Sequence, residues 1–327
     1  MHIMRNPIAH GGALLLSLAV TLFFGTSTLA EAPSGDEATG ILVSREAIEV
    51  PGFDALSDRP LIDRYTNESD YDKARLDDRF VFEKLTYLSD GLDVVAFLYR
   101  PRDCDEAMKT IVFNRGSYVR NDAAPEYLST FHRLAQSGFV ILAPMYRGSE
   151  GAPGHDEMGG KDLDDLMRIA DLAKELACVD AQRLYLMGES RGGMMVLQAL
   201  REGFPTRAAA VYGAPTDFLS LLEDYPDRYA DTADQLWPGW RENRQQVLGR
   251  RSAVTWADRI DTPLLIMQGG DDQSIPVSQS LSLATRLNEL GKPFELHVFG
   301  GEGHTISGRA TERDRLAARW FDSHTGD

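Results

Sequence analysis

Between Thr110 and Phe299 the chain repeats one pattern, a short apolar run followed by an amphipathic stretch. The runs are Thr110 to Asn114, Phe139 to Pro144, Arg183 to Gly188, Ala208 to Tyr212, Pro263 to Gln268 and Phe294 to Phe299, most of them closed by Gly, Pro or Asn. Runs this short, with no polar face, match strands buried on both sides, as in a parallel sheet. The stretches between them space apolar residues three and four apart, as at Leu163, Met167 and Ala170 and at Val277, Leu281, Ala284 and Leu287. Each therefore predicts a helix with one buried face. Upstream, two alternating runs meet at Ser89-Asp90-Gly91, a hairpin signal. A hairpin followed by strand–helix units predicts an α/β fold, with a mostly parallel central sheet and helices on both faces. No internal repeat or low-complexity tract interrupts it.

The charge balance narrows function before any motif does. Among 327 residues, 34 Lys and Arg face 50 Asp and Glu, a formal net charge of −16, and no basic run exceeds two residues. A nucleic-acid binder needs a basic face to neutralise phosphates, so nucleic acid is not an expected partner. The 43% hydrophobic content suits a globular chain with a sizeable core. At the N-terminus Arg5 precedes the apolar run Ala13 to Phe24, and the small residues Thr28 and Ala30 follow. This reads as a signal peptide over residues 1–30, because the run falls short of the roughly 20 residues that span a bilayer. An uncleaved anchor and a buried helix are the alternatives. The expected mature chain is exported to a periplasmic or extracellular space, without stable membrane insertion. Residues 31–81 are polar and poorly patterned, an N-terminal arm, partly irregular, and residues 82–327 are expected to form the α/β domain with an insert at about 214–256.

The strongest chemical signal is Gly188-Glu189-Ser190-Arg191-Gly192, where a strand pattern ends and a helical one begins. Glycines on both sides permit a sharp turn that lifts the Ser190 hydroxyl above the sheet, and the helix N-terminus offers positive potential to an oxyanion. A serine hydroxyl is a weak nucleophile, so the reading requires a histidine base and an orienting carboxylate. Asp272 and its neighbour Asp271 follow the strand pattern at 263–268, and His304 follows the next one in Phe-Gly-Gly-Glu-Gly-His. These groups emerge at the carboxyl ends of successive strands, the edge where α/β sheets place ligands. His132 lies in a helical stretch and His297 in a strand, and both read as structural. Asp271 and Asp272 compete for the orienting role.

Four motifs then carry a specific likeness: Tyr-Leu-Ser-Asp-Gly at 87–91, Arg-Gly-Ser-Glu-Gly at 147–151, the Ser190 elbow with its extra Gly193, and Asp-Asp-Gln-Ser-Ile-Pro at 271–276. Over about residues 82–325 the chain resembles the catalytic domain of the prolyl oligopeptidase family of α/β-hydrolase serine enzymes. In that family two residues and a Val-Pro-like pair follow the carboxylate, which matches Asp272 ahead of Ile275-Pro276 and favours it over Asp271. The resemblance implies an α/β-hydrolase fold, a Ser190-Asp272-His304 triad, an acyl-enzyme, no cofactor and no metal. It also implies that the strands near 110–114 and 183–188 are neighbours, which would let Cys104 and Cys178 pair, two free thiols being the alternative. Longer family members carry a β-propeller, and with roughly 50 residues between the expected leader and the core none is expected here.

Other positions depart from the family. Arg191 stands where its peptidases often have an aromatic residue, and the stretch Phe113 to Tyr118 lacks a tyrosine at the usual oxyanion position. Asn114, or a backbone N–H at Gly116 or Ser117, then becomes the candidate donor, with the Arg191 N–H as the second. Tyr118, Phe218, Trp237 and Trp240 are candidates to line a substrate pocket, or else core residues. Arg147 reads as a structural ion pair ahead of a substrate contact. Three functions follow: a peptidase acting on small peptides, a carboxylesterase acting on small esters, and a non-catalytic binding module. Nothing in the sequence sets an oligomeric state.

Overall fold

A computed structural model of the chain describes residues 40–56, 59, 62–117 and 124–326. The leader expected at 1–30 and Tyr118 lie outside them. Among the described residues nine strands form one sheet: β1 Leu42–Ala47, β2 Phe80–Ser89, β3 Leu92–Pro101, β4 Met108–Asn114, β5 Val140–Pro144, β6 Val179–Glu189, β7 Ala209–Tyr212, β8 Leu264–Gly269 and β9 Phe294–Phe299. Their order is β1-β2-β3-β5-β4-β6-β7-β8-β9. Pairing is antiparallel from β1 through β3 to β5 and parallel from β5 to β9. The β2–β3 hairpin closes at Asp90 and Gly91, whose φ values of 51° and 77° suit the turn that matches strand twist.

The period of two in each strand sorts side chains onto two apolar layers. Val112, Leu142, Leu184, Leu186, Leu264 and Ile266 point into one, while Ile111, Phe113, Tyr185, Met187, Leu265 and Met267 point into the other. Helices α1 (Ile62–Tyr65), α2 (Glu68–Arg75), α3 (Leu128–Gln136) and, at the far end of the chain, α10 (Ala310–Asp322) cover the second layer. The first is covered by α4 (Asp162–Glu175), α5 (Arg191–Arg201), the insert helices α6 (Phe218–Asp224), α7 (Pro226–Leu236) and α8 (Arg244–Val247), and α9 (Val277–Glu289). Among the described residues no helix is long and apolar enough to cross a membrane.

Three expectations change. The arm is not merely irregular: β1 extends the sheet, held by Glu175, which accepts from the Ile41 and Leu42 N–H groups at 2.7 and 3.0 Å. Most β1 side chains are exposed, so no apolar period marks the strand. Helix α9 buries Gln279, Ser280, Leu283, Ala284 and Leu287, whereas Leu281 is 47% exposed. The face is turned because Gln279 Oε1 accepts from the N–H groups of Thr216 and Asp217, a demand for a polar residue that apolar spacing cannot register. The insert aromatics offered for a pocket are also buried. Phe218, Trp237 and Trp240 are all at most 6% exposed and belong to the first apolar layer, continuous with the sheet.

Cys104 and Cys178 are joined by a disulfide with Cα atoms 5.8 Å apart. The bond sits where β4 and β6 begin side by side, Met108 pairing with Val179 and its N–H donating to the Cys178 carbonyl at 3.0 Å.

Candidate active site

Ser190 separates β6 from α5 with φ 50° and ψ −120°, a left-handed region that non-glycine residues rarely enter. Close backbone contact enforces the turn. A Cβ at Gly192 would lie 2.0 Å from the Asn114 carbonyl oxygen, and one at Gly188 would lie 2.3 Å from the Gly192 carbonyl oxygen. The Ser190 N–H donates to the Tyr212 carbonyl at 2.9 Å, which ties the elbow to the end of β7.

Asp272 and His304 reach the same edge from the loops after β8 and β9. His304 Nδ1 lies 2.8 Å from Asp272 Oδ2, and the imidazole rests against Gly213, the residue after β7. The Asp272 carboxylate is otherwise fully engaged. Its Oδ1 accepts from the N–H groups of Ser274 and Ile275 at 2.7 and 2.9 Å, and its Oδ2 accepts from Gln268 Nε2 at 2.9 Å. Burial pushes this carboxyl up, but His304 and the two loop amides outweigh burial and hold it below the usual range. Asp271 is exposed and makes no side-chain contact with His304, so the geometry separates two neighbours that composition left equal. Helix α7 props the loop, Arg228 donating to the Gln273 carbonyl at 2.6 Å and Tyr229 to that of Ser274. No hydrogen bond joins Ser190 Oγ to the His304 ring, a bond that in such sites often tightens only with substrate in place.

The oxyanion candidates divide. Asn114 is excluded as a side-chain donor, because its Nδ2 already donates to the Val112 and Met187 carbonyls at 3.1 and 3.2 Å and its Oδ1 accepts from the Tyr146 hydroxyl. It staples β4 to β6 instead. The Gly116 N–H is likewise spent, donating to the Tyr127 hydroxyl at 3.0 Å. Two groups remain: the Arg191 N–H, which as the first of α5 has no acceptor within the helix, and the Ser117 N–H, which has none among the described residues.

Arg191 does not face substrate. Its guanidinium is 1% exposed, bonds Asp156 and Asp162, lies 4.2 Å from the Tyr146 ring centroid and donates to the Ser117 carbonyl at 3.3 Å. Arg115 Nη1 donates to the same carbonyl at 3.1 Å, so two buried cations hold the loop that carries the Ser117 N–H. The pocket expectation is corrected too. The Phe218 and Trp237 rings meet edge-on, Trp237 Nε1 donates to the Glu157 carbonyl, and Trp240 Nε1 donates to Asp234. These aromatics pack inward with Leu221, Leu222, Leu236 and Leu248, which are buried in the same layer. Arg147 is an ion-pair residue, paired with buried Asp165 and with Asp90. His132 bonds Asp77 at 2.9 Å, and His297 bonds Glu295 at 3.2 Å.

Several contributors carried no sequence signal. Gln268 bonds Asp272 and is itself held by Ser280 Oγ at 2.8 Å. Glu189, fully buried beside Ser190, is hydrogen-bonded by Tyr212, Tyr127 and Tyr65. Burial pushes its carboxyl up, against the opposing charges of His304 and Arg313. Only a polar residue inside an apolar run, as at Gln268 and Glu189, hints at such roles.

An elbow serine and a carboxylate-bonded histidine at the carboxyl edge of an α/β-hydrolase sheet define the class, a serine hydrolase. The chain belongs to the prolyl oligopeptidase family, which matches residues 125–327. It is 25% identical over 239 residues to the uncharacterized peptidase YtmA of Bacillus subtilis (strain 168), covering 72% of this chain and 91% of that protein. Dipeptidyl aminopeptidase BIII of Pseudoxanthomonas mexicana is 29% identical over 182 residues, 52% of this chain and 26% of that protein. In fold the chain is similar to a Mycobacterium tuberculosis puromycin-hydrolyzing peptidase, with a TM-score of 0.65 at 22% identity over 74% of this chain and 39% of that one. The chain thus spans nearly all of YtmA and well under half of the other two.

Proposed function

We propose that the chain is an exported peptidase that cleaves short peptides through Ser190, His304 and Asp272. The observation that carries this reading is the 2.8 Å bond between His304 and buried Asp272 beside the strained Ser190 elbow. His304 Nε2 takes the proton from Ser190 Oγ as the oxygen attacks the substrate carbonyl, and Asp272 holds the proton on Nδ1. The Arg191 and Ser117 N–H groups receive the oxyanion. The imidazolium returns its proton to the leaving amine, and a water, deprotonated by the same ring, hydrolyses the acyl-enzyme. The disulfide supports export, because such bonds persist in oxidising compartments.

The test is a panel of peptidyl nitroanilides and short-chain nitrophenyl esters, with labelling by a serine-directed phosphonate and Ser190→Ala as blank. Nitroanilide turnover and labelling, both lost in Ser190→Ala, are expected. Ester-only turnover would replace the peptidase with a carboxylesterase, and absence of both turnover and labelling would leave a binding module. Export is checked by N-terminal sequencing of the secreted or periplasmic protein, which should begin at Glu31.

A further inference from the structure

Three consecutive residues of the N-terminal arm reach toward the catalytic edge, two at residues that adjoin His304 and Ser190 and the third at helix α3 beside them. The Arg64 carbonyl accepts from Thr305 Oγ1 at 2.8 Å, and Thr305 is the residue after His304. Tyr65 hydrogen-bonds Glu189, the residue before Ser190, and also Tyr127, whose ring centroid lies 4.8 Å from its own. Tyr127 in turn accepts from the Gly116 N–H, one residue ahead of the Ser117 amide. Thr66 Oγ1 lies 2.5 Å from Ser129 Oγ on α3, the helix that follows Tyr127. We infer that residues Arg64, Tyr65 and Thr66 form a clamp that positions the base, the elbow and the oxyanion loop relative to one another.

The catalytic edge needs such a clamp. The loop ahead of His304 is Gly300-Gly301-Glu302-Gly303, a backbone with little conformational preference of its own, and Ile306 just beyond it holds a left-handed φ of 54°. Beside Asp272, the residue after the imidazole is anchored at two points, its hydroxyl on the Arg64 carbonyl and its carbonyl on Arg313 Nη1 at 2.5 Å. Helix α1 is only four residues long, too short to be stable alone, so tertiary contacts set its place. Ile62, 3% exposed in the second apolar layer, supplies that seat. None of the three residues touches the reacting atoms in this arrangement, so they are positioning residues whose removal misaligns groups that must meet within a fraction of an ångström.

The inference rests on the Ser190–His304 reading, and the experiment separates the two. Wild type, Ser190→Ala, Thr305→Val, Thr305→Ser, Tyr65→Ala, Tyr65→Phe and Asp63→Ala are compared for kcat, KM, rate of phosphonate labelling and melting temperature. Thr305→Val and Tyr65→Ala are expected to lower kcat and labelling about tenfold, with KM and melting temperature nearly unchanged. Thr305→Ser, which keeps the hydroxyl, should restore most of the loss, and Tyr65→Phe, which keeps the ring, should fall between. Asp63→Ala, on the exposed side of α1, should match wild type. Wild-type kcat in Thr305→Val and Tyr65→Ala beside an inactive Ser190→Ala would overturn the clamp alone. So would losses that only follow melting temperature, without rescue by Thr305→Ser. Undiminished turnover by Ser190→Ala would overturn the hydrolase site and the clamp with it.

Discussion

Replacing Asp272 with Asn changes one atom in a fully committed site. The Oδ1 side survives, because an amide oxygen still accepts from Ser274 and Ile275. The other side does not: an NH2 group would face His304 Nδ1 and Gln268 Nε2, both donors, at the positions now 2.8 and 2.9 Å away. Gln268 cannot turn its amide without giving up the bond from Nε2 to the Ile275 carbonyl at 3.2 Å. The ring relieves the conflict by moving its proton to Nε2, which removes the lone pair that Ser190 needs. The loss of kcat should approach about 10⁴-fold, as in other serine hydrolases with this change, or about 5.5 kcal/mol of barrier. Asp271→Asn, at an exposed carboxylate, should leave kcat nearly unchanged. The assay is turnover of one saturating chromogenic substrate, with phosphonate labelling to confirm that Ser190 is intact. An Asp272→Asn enzyme with more than about a tenth of wild-type kcat would refute the tautomer argument. A larger loss in Asp271→Asn would transfer the role to its neighbour.

Other expectations can be checked in the same preparations. Removing the 74-residue cross-link with Cys104→Ser and Cys178→Ser should cost about 4 kcal/mol in urea unfolding, mainly by freeing the unfolded chain, with turnover unchanged; an unmoved midpoint would refute it. Arg147→Ala strands the Asp165 carboxylate, which is fully buried and bonded to both the side chain and N–H of Arg147, and should destabilise by about 3–5 kcal/mol. A loss below about 1 kcal/mol would show that water or Ser89 takes over the charge. The Asp272 carboxyl lies below its unfolded value, so its ionised form stabilises the native state. That contribution is complete above about pH 4 and is lost as pH falls through the folded value. Unfolding midpoints of wild type should therefore drop in that acid window, and those of Asp272→Asn should lack this part of the drop.

The strand runs were readable because a sheet covered on both faces needs unbroken apolar segments, and all six predicted runs lie within one or a few residues of the observed strands. The elbow was readable because its glycines answer a backbone contact that excludes any side chain. What stayed hidden depends on partners distant in sequence. The sequence offers Asn114 as one of three candidate donors beside Gly116 and Ser117, yet both hydrogens of its amide are taken by carbonyls of β4 and β6, a count that needs the strands side by side. The aromatic residues of the insert were read as pocket or core, and only packing could decide. Strand β1 escaped notice because an exposed edge strand leaves no apolar period.

The disulfide sits at the base of β4 and β6, while the elbow and the oxyanion loop leave from their tops, roughly 20 Å away for a strand of this length. Covalent closure and chemistry are thus at opposite ends of the same strand pair. A newly made chain can reach a working catalytic geometry before its thiols are oxidised, since no catalytic group leans on the sulfur atoms. Oxidation then governs endurance rather than speed. Two molecules with equal turnover, one bridged and one not, would part company only over time, as the unbridged one opens more often.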